Sequence, residues 1–488
     1  MILGAVLLVS LVVVPPNGIA ALQAHLMKDI VTEGKGARSE GLTPAGDLLY
    51  FNADDGTHGS ELWRSDGTEA GTVMVKDIRP GSKGSGPICL TSVGGSLLFV
   101  AYDGIHGDEL WRSDGTEAGT VMVRDIRPGS KGAIRFCYDG LTPWAGEVYF
   151  AANDGRHGDE LWKSDGTSGG TTMVADLRTG PHGSSPWGLE VVGPRLLFQI
   201  RDRRGTSLWG TDGTTAGTKL VRLLVGLSTW RVGTARGTLY LSVTSTVDGG
   251  QLWKSDGTSA GTVLVKDFTP WPRSCPADEL TAFDGSLYFN VGIREYGEEL
   301  WRSDGTAAGT RIVKDTWPGP EKWPAFDEFC QYGPRGLTAV AGSLYFSTND
   351  GKHGTELWRS DGTKAGTSMT KDIRPGQDGG LSDSPRFAGI GRTIYFAASA
   401  STDPAQLWRS DGTVAGTEMV REFMSSDIDP PLGDLVSGNG RVFFWADDGV
   451  DGAELWSSDG TTEGTEVVSD INPGSAGSGP WDLVFVRA

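Results

Sequence analysis

Apolar residues along this chain come in short runs, each closed within a few positions by glycine or aspartate, and no strongly periodic helical stretch of a dozen residues separates them. The pattern predicts strands. One unit reads Leu90-Thr91-Ser92-Val93, a Gly94-Gly95 turn, Leu97-Leu98-Phe99-Val100, a glycine-rich loop through Asp103-Gly104, Glu109-Leu110-Trp111-Arg112-Ser113, a turn at Asp114-Gly115-Thr116, and Val121 to Ile126. Neighbouring residues of a strand point to opposite faces. Unbroken apolar runs such as Leu48-Leu49-Tyr50-Phe51 and Leu344-Tyr345-Phe346, and the Leu-Trp pair of the third strand, therefore predict strands covered on both sides. A four-stranded antiparallel sheet wedged between two look-alikes is a propeller blade.

The third strand recurs around Trp63, Trp111, Trp162, Trp209, Trp253, Trp301, Trp358, Trp408 and Trp456, at intervals of 44 to 57 residues. Their mean, about 49, is close to WD and kelch blades and far from helical repeats. The expected fold is all-β, a propeller of about nine four-stranded blades in one ring over residues 25–488; the alternative is two smaller propellers, since nine exceeds the usual range of roughly four to eight. Met27-Lys28-Asp29-Ile30 copies a fourth strand, and Pro480 to Val486 resembles the start of a new unit, so the termini are placed to complete the seam.

Residues 1–24 read differently. The apolar stretch Ile2 to Val14 is too short to span a bilayer, and small residues follow it up to Ala24. This is the layout of a secretory signal peptide cleaved after Ala24; a buried N-terminal strand is the alternative. The mature chain is then secreted or held at the cell surface, with the periplasm as the other possible compartment, and has no further run that would insert into a membrane. The 488 residues carry 43 Lys+Arg against 62 Asp+Glu, a net charge of −19, which argues against nucleic acid or an anionic membrane as partner.

Every copy keeps Leu-Trp, then Ser or Thr, then Asp-Gly-Thr, then Gly-Thr after two more residues. Asp66 and its counterparts suit a turn in which the carboxylate takes backbone N–H groups and glycine takes positive φ, and a ninefold repeat speaks against catalysis there. These residues resemble the bacterial ELWxxDGT repeat family across essentially the whole mature chain, with Ser207, Gln251 and Gln406 in place of Glu in three copies. The resemblance implies an exported repeat protein. The hairpin is also similar to the Asp-box of sialidase-like propellers, without that family's arginine triad.

The loop Asp55-Gly56-Thr57-His58-Gly59-Ser60-Glu61 returns at Asp103 to Glu109, Asp154 to Glu160 and Asp350 to Glu356. Copies four, five and eight lose loop and Glu together, which predicts that the two are hydrogen-bond partners. The functional alternative is Ca²⁺ held by Asp55 and Glu61, Asp103 and Glu109, or Asp154 and Glu160. Cys89, Cys137, Cys275 and Cys330 lie before first strands of adjacent units; in an exported protein they pair as Cys89 with Cys137 and Cys275 with Cys330, or remain buried thiols.

The crossovers also gather Trp187, Trp271, Trp317, Trp323 and Trp481, aromatic residues that either pack the rim or stack on sugars. The leading expectation is a non-enzymatic secreted or surface binding scaffold whose loops on one rim recognise a glycan, an extracellular polymer or a protein. The alternatives are a propeller-type glycoside hydrolase or lyase, with Asp327 and Glu328 as carboxylates placed only by position, and a structural cell-envelope component. No phosphate loop, HExxH string or serine elbow occurs.

Overall fold

A computed structural model describes residues 40–469 except 67, 69, 135–139, 226, 246–248, 269–274, 294, 319–332, 383–384, 401–404, 424–431, 434, 439 and 451–452. The expected termini, residues 1–39 and 470–488, lie outside that set. The described residues form nine four-stranded antiparallel sheets, each a meander in chain order, with no helix among them. The first sheet comprises Glu40–Ala45, Leu48–Asp54, Ser60–Ser65 and Val73–Lys76. The all-β propeller architecture is thus present, blade by blade.

Its cores lie between sheets. Tyr50, Leu62, Val75 and Ile78 of the first sheet pack with Leu97, Phe99 and Trp111 of the second, while Leu98, Val100 and Leu110 turn the other way onto Val148, Phe150 and Trp162 of the third. This is why the second strands carry consecutive apolar residues through their middles: successive side chains face one neighbour and then the other. Full burial of such a side chain stabilises by about 1.5–3 kcal/mol. The faces at the two ends of the series are covered as well, since Phe51 and Trp63 of the first sheet and Phe443 and Leu455 of the ninth are buried.

Two polar devices recur. In the hairpin after the third strand, Asp66 Oδ1 accepts the amide and hydroxyl of Thr68, and Thr68 Oγ1 accepts the Gly71 amide. A Cβ on Gly71 would sit 1.9 Å from Asp66 Oδ1, which explains the invariant second glycine. The other device joins sheets. Lys371 Nζ lies 5.4 Å from the Trp408 ring of the next sheet and donates to Thr417 O at 2.9 Å; Arg421 does the same to Trp456 and Thr465 O, at 4.4 Å and 2.7 Å. Arg124 and Lys314 repeat both contacts, whereas Lys76 makes only the hydrogen bond and Arg222 and Lys266 only the ring contact, so the fourth-strand cation ties its sheet to the next by one or both means.

Candidate functional site between the third and fourth sheets

The regular seam shows what the glutamate of the motif does. Glu61 accepts the amides of Ile78 and Arg79 at 3.2 and 3.1 Å and the Ser85 hydroxyl at 2.6 Å. Its partners thus lie in the crossover to the next sheet and not in its own loop, which corrects the expected pairing. The loop meets the same crossover independently: Ser85 and Gly86 donate to Ser60 O, and Gly59 abuts Gly84 so closely that a Cβ would fall 2.5 Å from the Gly84 nitrogen. Loop and Glu vanish together because both serve one crossover. Arg79, held by that crossover, then stacks 4.5 Å over Tyr102 and packs beside Gly104 in the following loop.

Burial raises these glutamates against the pull of their N–H donors. Glu109 is pushed up to about 7, Glu356 to about 7 and Glu299 to about 8, in each case first by desolvation. With the carboxylate turned to the crossover, the indole Nε1 of Trp111, Trp162, Trp301 and Trp358 finds no partner among the described residues. Where Glu is replaced, the substitute turns inward and caps the indole. Trp253 donates to Gln251 at 2.9 Å, Trp408 to Gln406 at 3.0 Å, and Trp209 to Ser207 at 3.1 Å.

Three departures coincide at the junction of the third and fourth sheets. Ala175 stands where most other fourth strands carry Lys or Arg, so no cation from the third sheet's outer strand clamps Trp209. Ser207 replaces Glu, and the long loop is cut to the tight turn Asp202-Arg203-Arg204-Gly205 between strands Arg195–Asp202 and Gly205–Thr211. The opposite wall is still fixed, because Glu160 accepts the amides of Leu177 and Arg178 and the Ser184 hydroxyl. A cavity of about 300 Å³ opens where these three departures meet. Arg178, the counterpart of Arg79, has no loop to lie on and lines this cavity with Arg203, Arg204, Asp202 and Trp209; Leu177 and Ile200 complete its apolar part.

The charges are unevenly satisfied. Asp202 Oδ2 takes Arg204 Nε and Nη2 at 3.1 and 2.8 Å, and its Oδ1 takes the Arg204 amide at 2.7 Å. The Arg204 hydrogen bonds, followed by the field of the Arg204 and Arg178 guanidinium groups, hold the Asp202 carboxyl below its ordinary value. Arg178 and Arg203 have no ion pair among the described residues. The serine hydroxyls are spent within the walls, Ser184 on Glu160 and Ser207 on Ile200 O.

The expected site residues fall elsewhere. Asp55 Oδ1 accepts the amides of Thr57 and His58, and its Oδ2 lies 2.6 Å from His58 Nδ1; Asp103, Asp154 and Asp350 repeat the pairing with His106, His157 and His353. In the loops proposed for Ca²⁺, Asp55 and Glu61, Asp103 and Glu109, and Asp154 and Glu160 are therefore spent on separate donors. No group of three metal-ligating side chains occurs among the described residues. Trp187 opens an inner strand opposite Gln199 and is half-buried. Trp317 packs against Gly351 of the next loop, as Arg79 does against Gly104, so it fills the rim. Trp271, Trp323, Trp481, Asp327 and Glu328 lie outside the described residues, as do Cys137 and Cys330. Cys89 is disulfide-bonded, and Cys275 begins an inner strand. Arg178 and Ala175 were not singled out from the sequence, although the missing basic letter at 175 is visible on self-comparison of the repeats.

No family model matches the chain, and no curated protein matches it. Among solved structures, the crystal structure of puromycin hydrolase is similar at 14% identity and a TM-score of 0.34, over 79% of this chain and 54% of that one. A mutant of that hydrolase complexed with PGG gives 14%, 0.32, 85% and 58%, and a structure from a study of two prolyl endopeptidases gives 9%, 0.37, 77% and 54%. The chain thus spans little more than half the length of each. The expectation of a non-enzymatic binding scaffold is corrected on this comparison: the structures found similar are, by their names, a hydrolase and endopeptidases. The similarity assigns no reaction to this chain.

Proposed function

We propose that the chain holds a small anionic substrate or ligand, in the first place a carboxylate, in the cleft between the third and fourth sheets. One observation carries this reading: three guanidinium groups line one cavity, and two of them make no ion pair among the described residues. Guanidinium presents its donors in a planar fork that matches a carboxylate, and charge-assisted pairs of this kind are about twice as strong as neutral hydrogen bonds. The indole of Trp209 with Leu177 and Ile200 supplies an apolar wall for the body of the ligand. A net charge of −19 repels anions at long range, so affinity here comes from short-range contacts.

Titration calorimetry with 3-phenylpropionate tests the reading. Saturable binding that weakens about tenfold or more in Arg178→Gln is expected. Absence of binding by 3-phenylpropionate, benzoate and inorganic phosphate alike would refute it. We further place the chain with exported ELWxxDGT repeat proteins, supported by the apolar run before Ala24 and the ninefold motif, and pair Cys89 with Cys137. A mature N-terminus at His25 and a Cys89–Cys137 peptide under non-reducing digestion are the corresponding checks.

A further inference from the structure

We infer that the cleft is matched to a dipolar, amino-acid-like ligand: one carrying, beside its carboxylate, an N–H donor and an apolar side chain. The inference rests on the cleft being the working site and goes beyond it by naming the ligand class. Three features of the wall carry it. First, Asp202 sits among the arginines, and a bare anion would meet this carboxylate as a like charge. Second, Asp202 retains acceptor capacity. A carboxylate offers about four lone-pair directions, and here Oδ1 takes one backbone amide while Oδ2 takes the Arg204 fork. A ligand amide or ammonium placed between Asp202 and the unpaired Arg178 and Arg203 satisfies both signs at once. Third, the indole of Trp209 and the side chains of Leu177 and Ile200 form an apolar wall in the same cavity. A cavity of about 300 Å³ is at the small end for ligand sites, which suits a ligand group of one or two residues.

Phosphate or sulfate would engage the arginines too, but would set its charge against Asp202 and leave the apolar wall uncovered. The fourth sheet brings these groups together because its shortened hairpin presents Asp202 and Arg204 on one turn, while Glu160 of the third sheet fixes the Arg178 backbone opposite.

The experiment is calorimetry on the full chain with N-acetyl-L-phenylalanine, N-acetyl-L-phenylalanine amide, 3-phenylpropionate and inorganic phosphate, against the natural protein, Arg178→Gln and Asp202→Asn. In Asp202→Asn the carbonyl oxygen stays with the Arg204 amide, and the new NH₂ presents a donor where Oδ2 stood. A thermal melt of each variant confirms folding. N-acetylphenylalanine is expected to bind tightest to the natural protein. It should lose about tenfold or more in Arg178→Gln. Its advantage over 3-phenylpropionate should disappear in Asp202→Asn, while phosphate gains. Equal binding of N-acetylphenylalanine and 3-phenylpropionate to the natural protein, or phosphate as the best ligand, overturns the dipolar assignment and leaves the anion cleft standing. Loss of Arg178 dependence for every probe overturns both.

Discussion

Glu109 offers a sharp test of how the sheets are joined. It is 0% exposed and accepts the amides of Ile126 at 3.0 Å and of Arg127 and Ala133 at 3.2 Å. Two effects oppose each other, because burial favours the neutral acid whereas three N–H donors favour the carboxylate. Burial wins, lifting the group from 4.5 to about 7. The sign follows by linkage: with the folded value above the unfolded one, the side chain's contribution is fully present below pH 4.5 and is lost as the pH rises through about 7. At about 1.4 kcal/mol per pKa unit the loss is about 3 kcal/mol. Glu109→Gln keeps the shape and cannot ionise. Urea denaturation followed by tryptophan fluorescence at pH 4.5, 6, 7 and 8 should find the variant equal to the natural protein or slightly weaker at the acid end. The difference should then move in the variant's favour by about 3 kcal/mol at pH 8. A difference that stays flat, or that moves against the variant as pH rises, would show that the three amides hold the group ionised and would refute the reasoning.

The other predictions concern the joints between sheets. Gly362→Ala places a Cβ 2.1 Å from Tyr288 Oη of the preceding sheet at φ +86, so the melting temperature should fall by several degrees, with part regained in Gly362→Ala/Tyr288→Leu; Gly169→Ala, where nothing lies within 4 Å, should leave it unchanged. Lys371→Ala removes both the contact over Trp408 and the bond to Thr417 O, and should cost about 1–2 kcal/mol by urea denaturation, a cost that Lys371→Arg restores. Arg335→Ala strands Glu298, whose side chain is 2% exposed, and should cost about 3–5 kcal/mol; pairing it with Glu298→Leu should recover most of that, measured by the same denaturation.

What the sequence discloses here depends on repetition. Nine copies of Leu-Trp and Asp-Gly-Thr make the third strand and its hairpin readable, because a position fixed in every copy answers to a local geometry, as Gly71 does to Asp66. Partners that lie across a seam leave a weaker trace. Joint loss of loop and Glu was visible at copies four, five and eight, yet the group both depend on, the crossover 17 to 24 residues after the Glu, is a third party that a pairwise comparison does not name. The same limit applies to the outer-strand cation, which reads as a solvated charge along its own strand and acts on the tryptophan of the next one. Trp317 shows the converse: read along the chain it is an aromatic residue in a crossover, and the glycine it covers, Gly351, is brought against it only by the neighbouring sheet.

The cleft follows from the same logic in reverse. A repeat architecture fills every seam with the same parts, so a binding cavity requires that parts be omitted, and omission is tolerated only where the remaining contacts still hold the sheets. At the junction of the third and fourth sheets the loop, its Glu and the outer-strand cation are all absent, while Glu160 keeps its three bonds and Thr215 Oγ1 donates to Val174 O at 2.6 Å across the seam. Arginine is then left in the opening by inheritance: Arg178 occupies the position at which Arg79 serves packing, and it becomes available to a ligand once the loop it would cover is gone. A site made in this way carries no motif of its own. Restoring a long loop between Asp202 and Gly205 should therefore close the cleft and abolish carboxylate binding without lowering stability, an outcome calorimetry and a thermal melt would distinguish from simple unfolding.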